Sequence, residues 1–85
     1  MDGFERRRLA SLAKQLEQEL RGSRLPDAKQ ALGEMQWLFD KIDAGTFSPP
    51  IKKAPGKWHF TESDLRGDAR LSNLWMAFSR AVRQQ

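Results

Sequence analysis

The chain has 85 residues, 39% of them apolar and 31% charged, and no cysteine. That leaves room for one hydrophobic core and excludes disulfides, thiolate catalysis and cysteine-based metal centres. Fifteen Lys and Arg against eleven Asp and Glu give a formal charge of +4, a mild bias toward anionic partners such as nucleic acid or an acidic protein surface. The N-terminal residues are too poor in apolar side chains for a secretory leader, and no run approaches the ~18 apolar residues that span a bilayer. The expectation is therefore a cytoplasmic protein without membrane contact.

The predicted fold is all-α, a single small helical domain over residues 1–85. It consists of an antiparallel αα-hairpin plus a C-terminal helix after a long proline-containing loop. The first helix, residues 3–21, carries Leu9, Leu12, Ala13, Leu16 and Leu20 at spacings of three and four, an apolar arc of roughly 100°. Arg7, Lys14 and Arg21 recur on its solvent side, with Glu17 one turn from the latter two and placed to pair with them. Gly22 is expected to end the helix in a left-handed conformation, and Pro26 suits the first turn of the next.

The second helix, residues 26–44, places Ala28, Ala31, Leu32, Met35, Leu38, Phe39 and Ile42 on one face of about 120° and closes at Gly45. Two such helices joined by a short connection bury their stripes by folding antiparallel. Trp37 breaks the pattern. It lies about 180° from the apolar arc, one turn from Gly33 and from Lys41. It must be covered by the 46–60 loop or by a second molecule.

Residues 46–60 contain three prolines and a glycine, which remove donors and fix the backbone, so the segment reads as a long loop without regular helix. Its aromatics, Phe47, Trp58 and Phe60, suggest that parts of it are packed down. A third helix over residues 62–83 is expected to be capped by Thr61, with Phe60 and Leu65 as a hydrophobic staple and a kink or restart at Gly67. Leu71, Leu74, Trp75, Phe78 and Val82 form its apolar face. On the far side of a continuous helix, Arg66, Arg70 and Arg80 would cluster within about 80°, with Arg83 at the margin.

Catalysis is not expected. The one histidine, His59, sits between Trp58 and Phe60 without the Ser, Cys or Asp spacing of a nucleophilic dyad or triad. A metal site would need His59 with Glu62 and Asp64 or Asp68, a weak pattern beside simple loop packing. No metal or cofactor is therefore expected, and a hydrolase or metal enzyme built on His59 is the least favoured reading.

Charge is unevenly placed. The segments 1–24, 25–45, 46–61 and 62–85 carry net charges of +2, −2, +3 and +1. The acidic second helix, with Asp27, Glu34, Asp40 and Asp43, rules out a helix-turn-helix reading that would press it against phosphates.

Two functional expectations follow. The leading one is a non-enzymatic regulatory, adaptor or inhibitory protein that docks on a partner protein through Trp37, Lys41, Phe47, Trp58 and Trp75, with a homodimer as another occupant of the same patch. The alternative is nucleic-acid binding through Lys52, Lys53, Lys57, Arg66, Arg70 and Arg80, with Trp58 or Phe60 stacking on an unpaired base.

Overall fold

The computed structural model describes residues 3–47, 51–52 and 54–83, and among these it is all-α. Helix α1 spans Gly3–Gly22, α2 spans Pro26–Asp43, a short α3 spans Lys57–Thr61, and α4 spans Ala69–Arg83. A 3-10 turn, Asp64–Gly67, lies between α3 and α4.

The predicted stripes are the buried ones. Leu9, Ala13, Leu16 and Leu20 of α1 meet Ala28, Ala31, Met35, Leu38, Phe39 and Ile42 of α2 and Leu71, Trp75, Phe78 and Val82 of α4 in one continuous core. The three-residue link 23–25 forces α2 back along α1, and polar bonds mark the seam: Gln36 Nε2 donates to Glu17 Oε2 at 2.9 Å, and Arg21 Nη2 donates to Gln36 Oε1 at 3.2 Å. Pro26 occupies the first turn of α2, as expected. At the other end Gly45, at φ 75°, makes a Schellman closure in which Thr46 N–H reaches Lys41 O and Gly45 N–H reaches Ile42 O. Gly22 does not play this role at the end of α1. It is the last residue of the helix, and the positive-φ glycines among the described residues are Gly45 and Gly56.

Helix α1 packs along both α2 and α4, whereas no Cα of α2 lies within 8 Å of one in α4. Phe39 and Phe78 meet across that gap, ring centroids 5.6 Å apart. Described residues of the stretch after α2 pack into the rest of it. Ile51 N–H bonds to Val82 O at the far end of α4, Ala54 and Gly56 are buried, and Phe60 stacks on Trp75 at 5.4 Å and 15°.

This corrects the expectation of a long loop without helix over 46–60. Lys57–Thr61 is helical, opened by Gly56 at φ 84°. The close quarters explain the glycine, since a Cβ there would stand 3.1 Å from Met35 Sδ. The residues 48–50 and 53 lie outside the described part of the segment.

The third predicted helix is corrected as well. Thr61 does not cap it. Thr61 ends α3, and its hydroxyl donates to Lys57 O, so Phe60 and Leu65 cannot staple a helix start there. Ser63 caps the 3-10 turn by accepting from Leu65 N–H, and Asp68, extended at φ −92° and ψ 100°, caps α4 by accepting from Leu71 N–H at 3.1 Å. The break foreseen at Gly67 is therefore a full interruption, and α4 begins at Ala69.

Candidate functional site

Trp37 is the residue that the fold leaves over. It stands 49% exposed on the side of α2 away from the core, with Lys41 Nζ 5.8 Å from its ring centroid, a cation–π pair one helical turn long. Among the described residues of the 46–60 segment, Ile51 is bonded to Val82 of α4 and Ala54, Gly56, His59 and Phe60 are buried, and Trp37 stays half-exposed.

Trp58 on α3 is 59% exposed. Its position relative to α2 is set by its neighbour His59, the one buried histidine. Nδ1 of that ring bonds to Asp27, and Nε2 lies 2.9 Å from Glu34 Oε2. Asp27 and Glu34 are seven residues apart on α2, two turns along nearly the same line, and the imidazole bridges them. Trp58 meets that imidazole edge-on at 5.3 Å and 87°. Glu34 in turn precedes Trp37 by one turn. Lys41, Trp37 and Glu34 thus follow one another at spacings of one turn along α2, and His59 joins Glu34 to the element that carries Trp58.

The electrostatics of the clamp follow from its geometry. A neutral imidazole has one N–H and one lone pair, so two carboxylates on its two nitrogens are both satisfied only by the imidazolium. Burial disfavours that charge and lowers the pKa. The hydrogen bonds to Asp27 and Glu34, together with their negative charges, outweigh burial and raise it above the ordinary histidine value. The two carboxylates approach from opposite sides of the ring and do not converge on one point, and among the described residues no group of three His, Cys, Asp or Glu is arranged to hold a metal ion.

Two of the five expected docking residues are placed otherwise. Trp75 is 8% exposed, stacked on Phe60, with Nε1–H donating to Pro55 O at 3.1 Å, so it is a core residue. Phe47 is half-buried against the core beside Leu9 and Ile42. The place of Trp75 on the apolar face of the helix holds, and Pro55 and Phe60 close over the ring that the docking patch would have used.

The cationic residues of the nucleic-acid alternative also separate. Arg70 is paired with Glu19 of α1 at 2.7 Å. Arg66 lies on the 3-10 turn, off α4, so the Arg face of one continuous helix does not form. Lys53 lies outside the described residues. Lys52, Lys57 and Arg80 do come together, joined by Arg83, around a cleft of about 390 Å³ between α4 and the segment before α3; Ala54, Trp75, Met76 and Ser79 complete its lining. Trp58 does not line it.

A wider depression of about 880 Å³ near the end of α1 is lined by Glu19, Arg24, Asp64 and Asp68 among others, and its mixed charges give it no chemical focus. No helix among the described residues is long and apolar enough to cross a membrane. No protein-family model matches the chain, and comparison with curated proteins and with solved structures finds no significant match.

Proposed function

We propose that this is a non-enzymatic docking protein, of regulatory, adaptor or inhibitory type, which seats on a partner protein through the face carrying Lys41, Trp37, Glu34 and Trp58. The observation that carries the reading is the pair of half-exposed tryptophans held on two elements that His59 locks together. Tryptophan dominates binding hot spots because a large rigid ring buries much area and loses little entropy. A pair fixed in advance binds with little further ordering cost.

The flanking Lys41 and Glu34 supply a polar rim of both signs, and Glu34 is 58% exposed even while bonded to His59. With an overall charge of +4, the reading favours a partner whose surface is apolar at the centre and acidic toward Lys41.

The test is affinity capture with the wild-type chain, W37A and W58A as baits, followed by titration of the captured protein. One protein held by the wild type and released by both variants supports the reading. Equal retention by all three overturns it. Sedimentation of the chain alone tests the remaining occupant, since a dimer broken by W37A would assign the face to a second copy.

A further inference from the structure

The cleft between α4 and the proline segment has no part in the docking face, and its composition is one-sided. Four cations, Lys52, Lys57, Arg80 and Arg83, line it, and among the described residues no carboxylate does. Among the described residues none of the four is in an ion pair, whereas Arg21 and Arg70 elsewhere are paired with Glu17 and Glu19. The negative end of the α4 dipole accounts for arginines in its last turn. It does not account for two lysines brought over from a separate segment.

Their delivery is built into the fold. Ile51 N–H is bonded to Val82 O, and Trp75 Nε1–H to Pro55 O, so the residue just before Lys52 and the residue two before Lys57 are each tied to α4. Beneath the charges the lining is Ala54, Trp75 and Ser79, all buried, with the half-exposed Met76 at the rim. The cleft thus offers a cationic ring over a partly apolar floor. Its volume of about 390 Å³ falls within the usual range for small-ligand sites, roughly 300–1,000 Å³.

We infer that this cleft binds a phosphate-bearing small molecule of nucleotide size, with Arg80, Arg83, Lys52 and Lys57 on the phosphates and Met76 and Ala54 against its uncharged body. Arginine forks match phosphate oxygens two at a time, and the lysines add point charges. The inference is independent of the docking reading, and either can fail alone.

The experiment is an amide and indole NMR titration of the full chain, at low and moderate salt, with pyrophosphate, ADP, adenosine and a ten-nucleotide single-stranded DNA. The expected result is saturable shifts from pyrophosphate and ADP at residues 52–57 and 75–83, including the Trp75 indole N–H, with adenosine silent. K57A and R80A, both exposed positions, should each weaken ADP about tenfold. R66A, which removes an exposed cation away from the cleft, should leave it unchanged.

No saturation by millimolar pyrophosphate or ADP would overturn the assignment, as would an R66A loss equal to that of R80A, which marks non-specific charge attraction. Binding of the DNA strand alone would replace a small-molecule site with a nucleic-acid surface.

Discussion

The Nε2 atom of His59 stands 2.9 Å from Oε2 of Glu34, across the joint between α3 and α2. With Asp27 on the opposite nitrogen, this contact makes the joint depend on a proton. The folded state raises the pKa of His59, so it holds the proton more tightly than the unfolded chain, whose histidine titrates near 6.5. The stabilisation is complete below that unfolded value and is lost as pH rises through the folded one.

Thermal melts from about pH 6 to about pH 9 should therefore fall in midpoint with rising pH, and H59Q should remove that slope. Because His59 is the one histidine in the chain, its ring proton signals report the pKa directly. A folded value at or below that of the unfolded chain would contradict the clamp.

Two glycines should respond to alanine with opposite signs. Gly56 has φ 84° and would bring a Cβ to 3.1 Å from Met35 Sδ. The left-handed backbone alone costs about 1–2 kcal/mol, and crowding of a fully buried methionine adds to it. Gly33 lies inside α2 with nothing within 4 Å of a Cβ, so G33A should stabilise by about 0.5–1 kcal/mol. Urea denaturation of the two variants gives both numbers in one experiment.

The helices whose apolar residues recur at three and four were legible in the sequence, because burial on one side imposes that period whatever else happens. The ends of α1 and α2 fall within a residue of those expected. What the sequence concealed lies between residues 46 and 68, where structure is decided by tertiary neighbours. Prolines argued against helix in this segment, yet none falls within Lys57–Thr61.

Thr61 has the residue type of a helix cap and so does Asp68, but the expected cap is Thr61, and it is the extended backbone at Asp68 that places the cap there. His59 was visible as a lone histidine. Its partners are 32 and 25 positions away on another helix, and a search among nearby acids, Glu62, Asp64 and Asp68, could not find them. The seven-residue spacing of Asp27 and Glu34 is the available signal, and it is hidden among the four acids that make the second helix acidic.

The Arg70–Glu19 bond, at 2.7 Å, joins side chains 72% and 35% exposed. Exposed pairs of this kind contribute about 0–1 kcal/mol. R70A should therefore lower stability by no more than that, and the difference should shrink in high salt, where such charges are screened. Guanidinium chloride would mask the effect, so urea with and without added salt is the suitable measurement.

The three tryptophans should divide sharply when each is replaced by alanine. Trp75 fills the space between α4 and the proline segment, and its removal takes away a buried ring, the stack on Phe60 and the donor for Pro55 O. Losses of about 3–5 kcal/mol are usual for such truncations, a large part of the stability a chain this short can hold. Trp37 gives up only its half-exposed contact with Lys41, and W37A should remain within about 0.5 kcal/mol of the wild type. W58A loses the edge contact with His59 and should fall between them, close to W37A. A W37A loss comparable to W75A would mean that Trp37 holds the fold together, and the docking face would lose its anchor.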